Sequence, residues 1–201
     1  MSLVTRFGRP LGLSPRSVGA GFPVWIRRNF GVAAQWVMPI PAQPIGRSNT
    51  ASTMLRMFEQ LHSQVREEIR SLDDAGLNWS PGPGSNSIAT IVIHVVGSEA
   101  ETLWCLAGTH GVRDRQGEFS RGQQTVTEVF DELRAADELI AELQSEIGTH
   151  RLRTLMSLPT LPAEERRSGF AWLAGNFGHA CEHVGHIQLT KQLYVGGLTA
   201  P

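Results

Sequence analysis

Four histidines in this chain could do chemistry together: His94, and later His179, His183 and His186 on one continuous helical stretch. Histidines at i and i+4 stand one above the other on a helix face, about 6 Å apart along the axis, within reach of a single metal ion. Two from one helix and one from another would hold a tetrahedral ion and leave one position open, as catalytic sites do and sealed structural sites do not. At about 100° per residue, His183 lies roughly 40° round the helix from His179, and His186 roughly 20° to the other side. His179 and His186 are about 10.5 Å apart along the axis, too far to share an ion that also takes His183. His179 and His183 are therefore the expected ligands from this helix, with His186 flanking them as a supporting or substrate-facing group.

The third expected ligand is His94, set among Ile91, Val92, Val95 and Val96, where an unpaired imidazole would be costly to bury. Taken alone, His94 is as well explained by a core histidine bonded to a neighbour, and an i, i+4 pair also arises by chance on exposed faces. The coincidence of the two tips the reading toward metal. The histidine stripe also carries Trp172, Asn176, Ile187 and Thr190, so it should face the interior of a bundle. Glu101, one i+7 step from His94, and His186 are the candidates for proton transfer; Glu182 is as readily a solvated charge. His62, His110 and His150 lack such company and read as surface or loop residues. Cys181, rotated about 160° from His183, is assigned to packing. No glycine-rich phosphate loop, nucleophile elbow or CxxC motif occurs.

These residues need elements to position them. Leu55, Phe58, Leu61, Val65, Ile69 and Leu72 recur at three and four from Met54 onward and predict an amphipathic helix of about five turns. Asp73, Asp74 and Gly76 should end it, and residues 77–84 should form a Pro- and Gly-punctuated loop whose Trp79 packs back on the bundle. Ser85 or Asn86 is the expected cap of a second helix over residues 87–106. Its β-branched start suits a strand by propensity, but the segment runs on unbroken far beyond strand length. Residues 108–122 form a polar connection long enough to cross the end of a bundle or to cover it. Thr125 and Glu128 make a capping box for a third helix with buried positions Val126, Val129, Phe130, Leu133, Ile140, Leu143 and Ile147, closed by Gly148. Beyond Pro159 and Pro162, a fourth helix spans residues 170–194 and stops at Gly196 and Gly197. The fold class is all-α: a four-helix bundle with a long crossover between helices two and three.

Composition bounds the function. The chain has 201 residues and a net charge of −1, enough for one good core. The first fifty residues hold six Arg and no Lys, Asp or Glu, leaving 12 basic against 19 acidic residues elsewhere, or −7. Net charge gives such a domain no affinity for nucleic acid or an anionic membrane. No run of about eighteen apolar residues free of charge or Pro appears, so no membrane span is expected. Two cysteines far apart, Cys105 and Cys181, argue against a disulfide framework and for a reducing, cytoplasmic setting. Residues 1–50, rich in Gly, Pro and Arg, are expected to be a loose N-terminal extension, with Met54 or Met57 as an alternative start; organelle targeting is the rival account. Residues 51–197 are the expected bundle domain.

The segment Leu77-Asn-Trp-Ser-Pro-Gly-Pro-Gly-Ser-Asn-Ser-Ile88 leading to His94, with His179-Ala-Cys-Glu-His183-Val-Gly-His186 near the end, resembles the DinB and YfiT superfamily over about residues 54–194. The resemblance implies a four-helix bundle binding a divalent metal through one histidine of helix two and an HxxxH pair of helix four, which by position are His94, His179 and His183. Many members carry Gln where this chain has His186. Characterised relatives are metal-dependent S-transferases using thiols such as bacillithiol or mycothiol, and a mycothiol-dependent maleylpyruvate isomerase. The expectation is thus an enzyme that activates a low-molecular-weight thiol on Zn, with Ni or Fe as alternatives, toward a small electrophilic substrate, in a chain that can form a homodimer. The single lysine, Lys191, among many arginines suggests a GC-rich genome, for which mycothiol would be the thiol. The rival readings are a non-catalytic metal- or small-molecule-binding bundle and a metal-free polar core.

Overall fold

The computed structural model describes residues 50–197; the expected N-terminal extension lies outside the described residues. Four long helices make the bundle: α1 (Thr50–Ile69), α3 (Ile88–Ala107), α5 (Val126–Leu143) and α7 (Gly169–Val195). Three short ones, α2 (Asp74–Asn78), α4 (Arg115–Ser120) and α6 (Thr149–Arg153), lie in the connections. The stripe read on α1 is buried throughout, and Phe58, with no exposed surface, meets Phe177 edge-on at 5.4 Å between ring centroids. Truncating such a ring to alanine costs about 3–5 kcal/mol. α3 and α1 each pack chiefly on α5 and α7, so α3 has neighbours on two sides and α1 faces it across the core.

That placement explains why a β-branched sequence is helical in α3. Twelve of its residues are buried, among them Ile88, Ile91, Val92, Ile93 and Val96, and burial outweighs propensity differences of well under a kilocalorie per residue. By length and composition alone α3 could cross a membrane, but most of it is covered by the bundle. Its cap is Ser87, whose hydroxyl accepts from Thr90 N–H, and not Ser85 or Asn86 as expected. At the other end Gly108 adopts φ 77°, a left-handed turn that favours glycine, while Arg151 Nε and Nη2 donate to the carbonyls of Leu106 and Cys105.

Other boundaries differ for local reasons. α1 begins at Thr50, one turn before Met54, because Ala51 is buried one turn ahead of Leu55. Leu77 and Asn78, expected in a loop, belong to α2, which Asp73 caps by accepting from Gly76 N–H. Trp79 does pack back, its ring 5.8 Å from Tyr194. The Thr125–Glu128 capping box of α5 is present in both directions. That helix ends at Leu143, and Gly148 precedes α6 instead of closing α5. The stretch before α7 contains a two-residue antiparallel pair, β1 (Leu155–Met156) with β2 (Arg167–Ser168). Ser168 then caps α7 through Ala171 N–H.

Candidate metal centre

The first half of α3 and the middle of α7 face each other, and there the three expected ligands converge. His94 is 8% exposed; His179 and His183 are half-buried. His179 Nε2 lies 3.2 Å from His94 Nε2 and 3.0 Å from His183 Nε2, and the three residues offer ligand atoms within 4.8 Å of one another. Their rings stand at 77° to 87° to one another, like the legs of a tripod. A tetrahedral ion with metal–nitrogen bonds of about 2.0–2.1 Å needs nitrogens about 3.4 Å apart.

Charge favours the same reading. Burial, the largest influence on each, pushes all three imidazoles below the ordinary histidine range, and His183 falls to about 4. The neighbouring histidines add to this at His179 and His183, and Arg113 at His94 and His179; Glu118 opposes it at His94 without prevailing. At neutral pH the rings are neutral, each with one lone pair and one N–H. Three Nε2 atoms meeting at one point cannot all be paired by N–H donors, because a proton on His179 serves one neighbour well and leaves the other facing a lone pair. A cation satisfies all three, so the donor set fits a divalent metal.

The surroundings hold the rings in place. Glu118 Oε2, from α4, lies 3.0 Å from His94 Nδ1, and Phe119 sets its ring 4.9 Å from that of His94. Arg113 donates from Nε to Glu118 Oε1 at 2.7 Å and from Nη2 to Oε2 at 2.9 Å. His186 is exposed, its Nδ1 3.3 Å from His183 Nδ1. Glu101 is buried at the other end of the Arg113 guanidinium, accepting from Arg113 Nη1 at 3.1 Å and from Thr160 N and Oγ1, each at 2.8 Å. The structure therefore brings His94, His179 and His183 together, sets His186 at their edge, and engages Glu101 with Arg113 and Thr160. Asn176, on the same stripe, donates to Ser98 Oγ. Behind Glu118 a cleft of about 600 Å³ opens between α3 and α5, walled by Gly97, Ala100, Trp104, Ala135 and Leu139.

Two expectations require correction. His62 is not a surface residue: it is 2% exposed, with Nδ1 2.6 Å from Asp137 Oδ1 and Nε2 2.9 Å from Glu99 Oε2. The signal was present, because His62 stands four residues after Phe58 and three before Val65 on the buried stripe. His110 and His150 are exposed, as expected. Cys181 does not pack; it is exposed, because its rotation away from His183 turns it to solvent. Glu118 was missed, since one acidic residue in a polar connection carries no periodic signal. The only local hint is Gly97, one turn after His94, where a Cβ would collide with Glu118 Oε1.

The arrangement can be set beside known proteins. Among solved structures, a conserved protein from Enterococcus faecalis matches with a TM-score of 0.61 at 14% identity, over 74% of this chain and 99% of that one. A DinB-like protein from Bacillus cereus matches with a TM-score of 0.56 at 17% identity, over 75% of this chain and 95% of that one. At such identities the likeness is one of fold. No curated protein matches the chain significantly. The profile of the DinB superfamily matches residues 24–187, starting before and ending short of the span over which the motifs suggested the resemblance. With that match covering most of its length, the chain belongs to the DinB superfamily.

Proposed function

We propose that this protein is a divalent-metal-dependent enzyme that activates a low-molecular-weight thiol for transfer to, or isomerisation of, a small electrophile. The observation that carries the metal half is the meeting of three neutral Nε2 atoms 3.0–3.2 Å apart along the cluster. The thiol half is supported by superfamily membership and the resemblance to thiol-dependent relatives. A divalent ion held there, Zn foremost with Ni or Fe as alternatives, supplies a fixed positive charge that lowers the pKa of a thiol and favours its thiolate. The chain's own groups do the rest. His94, Glu118 and Phe119 wall one side of the site, while the exposed ring of His186 stands at the edge, where it can accept a proton released from a thiol. Glu101, committed to Arg113 and Thr160, serves by holding the connections in place and transfers no proton. The setting is cytoplasmic, the partners are the small thiol and its acceptor, and no nucleic acid or membrane is involved; a homodimer is the proposed assembly.

The test is elemental analysis of protein purified without a histidine tag, followed by a screen of thiols, mycothiol and bacillithiol included, against electrophiles. One equivalent of metal, lost in His179→Ala, with metal-dependent consumption of thiol, is the expected result. Retention of full metal by His179→Ala would overturn the site. Stoichiometric metal without turnover of any thiol would favour a non-catalytic metal-binding bundle, which chelation should then destabilise.

A further inference from the structure

His94 turns one ring nitrogen to the histidines of α7 and the other, Nδ1, to a charged pair from the connection between α3 and α5. Glu118 Oε2 lies 3.0 Å from Nδ1, and Arg113 Nη2 lies 3.3 Å from the same atom. These neighbours make opposite demands on a neutral ring. An ionised carboxylate only accepts, so its bond needs the proton on Nδ1 and leaves the Nε2 lone pair free. A guanidinium only donates, so its bond needs the lone pair on Nδ1 and puts the proton on Nε2, aimed at His179 and incompatible with ligation.

Geometry decides between them. The contact to Glu118 is the shorter, and Arg113 Nη2 and Nε are already committed to the two oxygens of Glu118. Both side chains are 7% exposed, so neither exchanges its partner readily for water. The carboxylate also has a dedicated seat, since it occupies the space where a side chain at position 97 would begin. Arg113 is fixed from behind by Glu101, itself tied to Thr160 in the connection between β1 and β2.

We infer that the Arg113–Glu118 pair selects the tautomer of His94: Glu118 draws the proton to Nδ1 and, by occupying Arg113, keeps that donor from forcing it onto Nε2. The purpose of the device rests on the metal reading above, but the tautomer itself is a property of the metal-free protein. Glu118 is thus a positioning residue, and the α3–α5 connection that carries it sets the competence of a ligand on α3.

The test combines nitrogen-15 NMR of ring-labelled, metal-free protein, which distinguishes Nδ1–H from Nε2–H imidazoles, with Zn titration against a competing chelator. Wild type should hold His94 as Nδ1–H. Glu118→Gln releases Arg113 to donate, so His94 should shift toward Nε2–H and Zn affinity should fall about 10- to 100-fold. Adding Arg113→Met removes the competing donor and should restore part of both, a rescue that a merely structural loss would not give. Gly97→Ala, which displaces the carboxylate without altering any charge, should reproduce the shift and covers the case of a Glu118 variant that does not fold. His94 remaining Nδ1–H in Glu118→Gln or Gly97→Ala, with affinity within twofold of wild type, would overturn the inference, as would a double variant no better than the single one. A wild type with His94 as Nδ1–H that takes up no Zn would remove the proposed function and leave the tautomer assignment standing.

Discussion

Two histidine sites lie in the core of this bundle, and their rings are held in opposite charge states. At the α3–α7 site, burial keeps His94, His179 and His183 neutral, reinforced by the neighbouring histidines at His179 and His183 and by Arg113 at His94 and His179. Between α1, α3 and α5, burial also acts most strongly on His62 and also disfavours its charge. There it is outweighed by hydrogen bonds to Asp137 and Glu99 and by their charges, and the pKa rises to about 9. Burial pushes the Glu99 carboxyl up; it acts the same way on Asp137, but there the bond from His62 and the one that Arg66 donates to the other oxygen at 2.5 Å outweigh it and hold the carboxyl down. The proton shared among these groups resides on His62, which alone can donate to both carboxylates at once. A histidine with two carboxylates becomes a structural cation, and a histidine among histidines keeps its lone pair for a metal.

The largest expected difference between the two sites is in metal content. His183→Ala should lose bound metal altogether, whereas His62→Ala should keep one equivalent per chain, both read by elemental analysis. Equal loss in the two variants would mean that the sites are not independent.

The second effect reverses the order. His62→Ala leaves Glu99 buried with neither oxygen paired among the described residues, since Oε1 already lacks a partner. Removing one member of a buried ion pair costs about 3–5 kcal/mol, visible as a lower denaturation midpoint. His183→Ala, at a half-buried position, should cost metal-free protein no more than about 1 kcal/mol.

How far each site could be read from the sequence follows the same division. The i, i+4 spacing in α7 and the apolar neighbours of His94 identified the ligands because a helix converts spacing into direction. His62 shows the same kind of signal, lying on the stripe of Phe58, Val65 and Ile69, yet its meaning depends on Glu99 and Asp137, 37 and 75 residues away. Those partners meet it only once α1, α3 and α5 have packed. Glu118 is still harder to find, because the register of α4 over His94 is set by Arg113 and Gly97 and not by any period. The helices were legible from their apolar stripes. The cap at Ser87 and the short α2 were not, because several Ser, Asn and Asp residues near each end could serve equally well and tertiary packing chooses among them.

The third effect separates the sites by pH. His62 binds its proton more tightly folded, at a pKa of about 9, than unfolded, at 6.5. Its stabilisation is therefore complete below pH 6.5 and is lost as pH rises through 9, amounting to about 3 kcal/mol across that window. Urea denaturation of metal-free wild type and His62→Gln at pH 6.5 and 9.5 should show the gap between them closing toward alkaline pH. A constant gap would place the proton elsewhere. Metal binding should run the other way: with ligand pKa values below 6.5 it should survive mild acid and fail as pH drops further and the imidazoles take up protons.

The smallest effect concerns His186, which stands to His183 much as Glu118 stands to His94. If His183 ligates through Nε2, its Nδ1–H donates to His186 Nδ1 across 3.3 Å, an orienting bond of the same kind. The difference is exposure: His186 is open to solvent, so water can replace it, and the bond is a neutral one, worth about 0.5–1.5 kcal/mol. His186→Ala should therefore weaken Zn binding by no more than about tenfold and leave the metal-free stability unchanged, while slowing thiol turnover only if its ring gives up the bond from His183 to take the thiol proton on its single lone pair. A loss of Zn affinity as large as that of Glu118→Gln would make His186 a ligand in its own right, and the three-histidine set would have to be redrawn to include it.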